Sequence, residues 1–135
     1  MKRALALIGV LALAGCGAQA EQTSSAENFQ GEERAVAQKV EDLQEAGESR
    51  NAEDICSEIL ARSLVTQLEA AGVECADEME KAIEDADDYE LDVQDVTISG
   101  STATVEVRRG EDGPTETMEF AKEGDQWRAT SLSGS

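Results

Sequence analysis

The sequence has no histidine, few aromatic residues and few basic residues. Aromatic side chains make up 3% of its 135 residues, and 11 lysines and arginines stand against 30 aspartates and glutamates. Without histidine, a cysteine nucleophile lacks its usual base and a zinc site lacks a common ligand. The net charge of −19 excludes nucleic acid as a general partner, because nucleic-acid binding needs a basic surface.

An apolar run at residues 4–14 follows two basic residues, Lys2 and Arg3. It is shorter than the ~20 apolar residues that span a bilayer core, and the pattern is typical of a signal peptide. The segment that ends it, Leu13-Ala14-Gly15-Cys16, resembles the lipobox of bacterial prolipoproteins, which are cut before the cysteine. The alternative is an ordinary secretory signal cut after Ala18-Gln19-Ala20.

The lipobox resemblance implies a diacylglycerol on the sulfur of Cys16, and often a further acyl chain on its nitrogen. Two or three acyl chains are enough for stable anchoring. We therefore expect residues 1–15 to be a lipoprotein signal peptide. The mature protein would then lie at the cell membrane, lipid-anchored on its extracytoplasmic face.

The acidic charge has two interpretations. Removing the signal would take the net charge from −19 to −21, so an anionic lipid surface would repel the domain and only the lipid on Cys16 would hold it there. The acids are spread along the chain, which favours a solvated acidic surface. A site for a cation or a basic partner is the alternative.

Two cysteines, Cys56 and Cys75, remain after Cys16. An even pair in an exported domain predicts a structural disulfide. A thiolate metal site would need further soft ligands, a nucleophile would need a base, and a redox pair usually has the C-x-x-C spacing. No metal and no cofactor is predicted.

The rest of the chain predicts a tether and one domain. Residues 16–30 are predicted to be the lipidated N-terminus and a flexible tether, because their side chains are small and polar. Residues 31–135 are predicted to form a single domain. Helical periodicity predicts three helices: one ending near Gly47, one capped by Asn51 that ends at Gly72 and can break near Arg62-Ser63, and one beginning near Cys75.

The second half predicts four strands, because apolar residues alternate with polar ones between short turns. The phase of the alternation slips near Gln94-Asp95, which predicts a β-bulge, and Gly100-Ser101 predicts a tight hairpin. Helices followed by an antiparallel meander indicate an α+β fold, with three N-terminal helices packed on a curved four-stranded sheet.

This arrangement resembles small exported proteins of actinobacterial type and, through them, the nuclear transport factor 2-like (SnoaL-like, cystatin-like) superfamily. The matching pieces are residues 52–56, residues 64–68, Cys75, residues 96–105 and the G-x-x-W segment at 124–128. The resemblance implies a cone-like sheet with a pocket. It assigns no function, because members of the superfamily include enzymes, binders and scaffolds.

Three groups of residues are candidates for a site. Met118, Phe120 and Trp127 could line a pocket, although such a set more often fills a core. Tyr89 with Asp92 or Asp95 could form the acid–base pair of an enzyme, although Tyr89 more simply begins a strand. The acidic stretch at residues 84–92 lacks the order of a calcium-binding loop, which favours a solvated helix end.

The sequence therefore predicts a non-enzymatic, membrane-anchored accessory module. Its partners would be the membrane, through Cys16, and a small apolar ligand or an envelope protein of unknown identity. Two alternatives stay open: an isomerase- or cyclase-like enzyme in the same fold, and an acidic immunity- or inhibitor-like protein that covers a basic target.

Overall fold

The computed structural model describes residues 25–86 and 88–132. The predicted signal peptide and Cys16 lie outside these residues. A short 3-10 helix at Ser25–Asn28 precedes the helices, which are α1 (Gly31–Glu48), α2 (Ala52–Asp54, continued by a π-helix over Ile55–Ile59), α3 (Arg62–Ala70) and α4 (Cys75–Asp85). The strands are β1 (Leu91–Ser99), β2 (Thr102–Arg109), β3 (Thr115–Glu123) and β4 (Gln126–Ser131).

Helix α1 ends at Glu48, which confirms the predicted end near Gly47. Gly47 itself is buried within the helix, and a Cβ at this position would lie 3.2 Å from the ring of Tyr89. The reversal occurs at Arg50, which has a φ of 56°. The Asn51 N–H donates to the carbonyl of Ala46, and the Arg50 N–H donates to that of Gly47. This is a Schellman motif, in which glycine is the usual left-handed residue.

The second predicted helix is divided into two. Leu60 and Ala61 are extended and separate the π-helix from α3. Leu60 forms a parallel bridge with Ala129, and the Ala61 N–H donates to the carbonyl of Ala129 at 2.8 Å. The break therefore occurs slightly before the predicted position, because these two residues pair with the outer edge of β4.

The strands form one antiparallel sheet in the order β1-β2-β3-β4, as the α+β prediction required. The register shifts between Val93 and Asp95, which confirms the predicted bulge, and Gly100-Ser101 forms the predicted hairpin turn. One face of the sheet contributes buried side chains such as Val105, while neighbouring residues such as Thr104 are exposed. The sheet thus packs its apolar face against the helices and presents a polar face to solvent.

The packed part of the chain includes residues that were predicted to belong to the tether. Ala26 is 1% exposed and belongs to the core, and Phe29 packs against it. The Ala26 N–H donates to Oε1 of Glu41 at 2.9 Å. This short segment contacts both α1 and β1, so the folded domain begins by Ala26, before the predicted boundary at residue 31.

Candidate functional site

A cleft of about 390 Å³ lies between α1 and α2. Its polar lining comes from both helices and the turn between them and comprises Lys39, Asp42, Glu45, Ser49, Asn51, Asp54 and Glu58. Four of these seven side chains are carboxylates and one is basic. The cleft is therefore an acidic concave surface formed between two helices.

The pKa of Asp42 is changed by the residues around it. Partial burial raises the pKa of Asp42 above its ordinary value, and neighbouring carboxylates, Glu45 first among them, raise it further. Lys39 acts in the opposite direction, with its Nζ 3.9 Å from Oδ2 of Asp42. Lys39 also donates to the carbonyl of Glu58 at 3.3 Å. One lysine thus faces several acids, and the negative potential inside the cleft is only partly neutralised.

A hydrogen bond and a disulfide hold the α2 wall of the cleft in place. The side chain of Asn51 accepts a hydrogen bond from the Asp54 N–H at 3.1 Å, which is the predicted helix cap. Behind this wall, Cys56 in the π-helix is joined to Cys75 at the start of α4 by the predicted disulfide, with 6.1 Å between the Cα atoms. The disulfide fixes the helical turn that carries Asp54 and Glu58 relative to α4.

A second surface depression, of about 700 Å³, lies between the end of α4 and the turn that joins β2 to β3. It includes part of the acidic stretch at residues 84–92. Its basic group, Arg109, is paired with Glu116 at 3.1 Å. In the described part of the chain, no group of three or more acidic or cysteine side chains could hold a metal ion.

The three residues predicted as pocket lining lie in the core. Met118, Phe120 and Trp127 are 2%, 1% and 3% exposed. The Nζ of Lys122 lies over the Trp127 ring, 5.7 Å from the ring centroid. Lys122 in turn pairs with Glu32 of α1. These side chains therefore contribute to the contact between sheet and helices, and neither of the two depressions is lined by them.

The candidate acid–base residues are not brought together. The hydroxyl of Tyr89 donates to the carbonyl of Ile83 at 2.7 Å, and its ring packs against Gly47 on the helical side. Asp92 instead pairs with Arg108 at 2.9 Å, and Asp95 is exposed opposite Glu106. Tyr89 thus connects α4 and α1, whereas the two aspartates lie in β1 away from its hydroxyl group.

The cleft residues were missed because their acids do not form a dense run in the sequence. Lys39, Asp42 and Ala46 are spaced three and four apart, which places them on one side of α1. That spacing could have indicated a charged helix side, but α2 supplies the opposite wall and only tertiary structure brings the two together.

Among the described residues, no helix is both long and apolar enough to cross a membrane. Comparison of the chain with protein-family models, with curated proteins and with solved structures gives no significant match.

Proposed function

We propose that this chain is an exported lipoprotein, anchored through Cys16 at the extracytoplasmic face of the cell membrane, whose domain binds a cationic group of an envelope partner in the α1–α2 cleft. The cleft carries the proposal. It is concave, four of its polar lining residues are acids, and its shape is held from behind by the disulfide. A lysine or arginine side chain of a partner would gain charge-assisted hydrogen bonds there.

The pKa of Asp42 supports this proposal. Partial burial, and to a lesser extent the neighbouring carboxylates, disfavour the ionised form of this carboxyl group, and an incoming positive charge would stabilise that form. Because the lining of the cleft is polar and acidic, we favour a protein or peptide partner over the small apolar ligand predicted from the sequence.

We favour a binding module over an enzyme, because the hydroxyl of Tyr89 is held by a backbone carbonyl away from Asp92 and Asp95. For the observed α+β architecture we propose a more specific arrangement, the cone-like sheet of the nuclear transport factor 2-like superfamily. In this proposal the α1–α2 cleft, and not the interior of a cone, receives the ligand.

Titration of the mature chain, made with Cys16→Ser to keep it free of lipid, with a short oligolysine peptide tests the cleft. Amide chemical shifts should change most for residues that line the cleft, and added salt should weaken the binding. The double variant Asp42→Asn/Asp54→Asn should reduce the affinity several-fold.

The matched control is Asp95→Asn/Glu106→Gln, which removes the same charge from exposed positions on β1 and β2. It should leave the affinity within about twofold, because local potential outweighs net charge at a specific site. Equal losses in both double variants, or shifts spread over the whole acidic surface, would refute a specific cleft.

A further inference from the structure

The N-terminal segment Ala26–Phe29, here called the N-terminal clip, is attached to one side of the domain. The buried Ala26 donates its N–H to Glu41, and the partly buried Phe29 packs against the core. The short helix that contains Ala26 contacts α1 and β1. The described part of the chain therefore begins beside α1 and β1.

The N-terminal clip and the cleft both use residues of α1. Glu41 and Gln44 are three residues apart and share one side of α1, where Gln44 also accepts a hydrogen bond from the Leu91 N–H at the start of β1. Lys39 and Asp42 lie on the side that lines the cleft, and Glu45, four residues after Glu41, lies between the two sides. The α2 region in turn contacts β4, since Arg128 donates to the carbonyl of Ser57 at 2.6 Å.

The length of chain between the lipid and the N-terminal clip is short. Only residues 17–24 separate Cys16 from Ser25, and a chain of this length reaches at most about 30 Å. A domain of ~100 residues has a radius of gyration of about 13 Å, so a path half way around its surface is roughly 50 Å. Such a reach cannot place the side opposite the exit point against the bilayer.

We propose that the N-terminal clip orients the domain on the membrane, with the β1 edge toward the bilayer and the β4 edge, with α3, away from it. β1 and β4 are the opposite edges of the sheet, so the exit point of the chain decides which edge is near the lipid. The orientation leaves the α2 side of the cleft accessible to a partner. This inference rests on the lipid anchor of the proposed function.

Fluorescence quenching on vesicles tests this orientation. The full chain, purified from bacterial membranes with its lipid, is reconstituted into phosphatidylcholine vesicles that contain a headgroup-labelled quencher lipid. A fluorophore is attached to one introduced cysteine, either Thr97→Cys on β1 or Gln67→Cys on α3, both of which are exposed. With Cys56 and Cys75 bonded to each other and Cys16 acylated, the introduced cysteine is the only free thiol.

The fluorophore on β1 should be quenched at least twofold more strongly than the fluorophore on α3. Two further variants should reduce this difference: Glu41→Ala, which removes the acceptor of the Ala26 N–H without placing a charge in the core, and a Gly/Ser insertion after Thr23, which lengthens the reach and leaves the N-terminal clip intact. The insertion keeps the test independent of any loss of stability in Glu41→Ala.

Flotation of the vesicles separates the two proposals. If the unlabelled chain fails to float with vesicles, the proposed lipid anchor is wrong, and the proposed orientation, which depends on the anchor, is wrong as well. If the chain floats but the two fluorophores are quenched equally, or the one on α3 is quenched more, the orientation alone is overturned.

Discussion

The two edges of the sheet are covered in different ways. At the β4 edge, Leu60 and Ala61 pair with Ala129 through the backbone, and the disulfide of Cys56 holds the turn just before them. At the β1 edge, the side chain of Gln44 accepts a hydrogen bond from the Leu91 N–H at the start of the strand, and the N-terminal clip contacts β1 while its own hydrogen bond goes to Glu41 of α1. Unpaired strand edges invite association with other chains, so both coverings protect the sheet.

The difference indicates which edge can open locally. The β4 covering lies in the middle of the chain, and the disulfide joins the π-helix just before it to α4, so its release requires these helices to move together. In the β1 covering, the N-terminal clip lies near the beginning of the described residues and is not cross-linked, so it can separate while α1 and the core strands stay in place. Segments with few buried contacts open at a lower free energy than the core. The edge nearer the proposed lipid anchor is thus the less firmly closed.

Removing the disulfide should cause the largest loss of stability, because it acts on the β4 edge. The double variant Cys56→Ala/Cys75→Ala opens a loop with a sequence separation of 19 and should lower the free energy of unfolding by about 3 kcal/mol. Urea unfolding followed by the fluorescence of the buried Trp127 measures this change, and hydrogen exchange should report lost protection at Ala61. A decrease below about 1 kcal/mol would mean that the disulfide contributes little to the β4 edge.

Glu123 provides a smaller test of the same edge. Helix α3 has no side-chain cap from its own N-cap residue, and instead the Arg62 N–H donates to Oε2 of Glu123 at 3.0 Å. Glu123→Ala should therefore cost about 1 kcal/mol, as the loss of a helix cap does. The control Glu119→Ala, at an exposed position on the same strand, should change stability by less than about 0.5 kcal/mol. Equal effects would show that Glu123 does not cap α3.

Asp42 should give the smallest effect, because its side chain is 55% exposed. Burial raises its pKa in the folded protein, so the ionised carboxylate is disfavoured and its contribution to stability falls as the pH rises through that pKa. Asp42→Asn should stabilise the protein slightly at neutral pH, and the gain should disappear below the ordinary pKa of 3.8. Urea midpoints at the two pH values check this, and a gain that persists in acid would have another cause.

Much of the fold could be predicted from local patterns. Period-two alternation placed the four strands, the phase slip placed the bulge at Val93/Asp95, and the even number of cysteines left after Cys16 gave the Cys56–Cys75 pair. These features depend on neighbouring residues, or on chemistry that few residue types share, and such features can be read from one sequence.

The remaining features depend on distant contacts. The break at Leu60-Ala61 exists because Ala129 accepts a hydrogen bond there, and Gly47 lies where the ring of Tyr89 approaches α1 closely. The N-terminal clip looks like polar tether because only Ala26 and Phe29 in it pack against the core. The cleft combines acids from two helices, so its sequence signal is divided between segments that each look like a solvated surface.

The lipid on Cys16 is the claim on which the proposed function and the orientation both depend, and intact-mass measurement tests it most directly. The full chain would be expressed in a bacterial host and recovered from the membrane fraction, with Cys16→Ser as the control. The account predicts a mature chain that begins at Cys16 and carries the added mass of its acyl chains, and loss of both the acyl mass and the membrane association in the control. An unacylated chain that begins at Glu21, after Ala18-Gln19-Ala20, would contradict it.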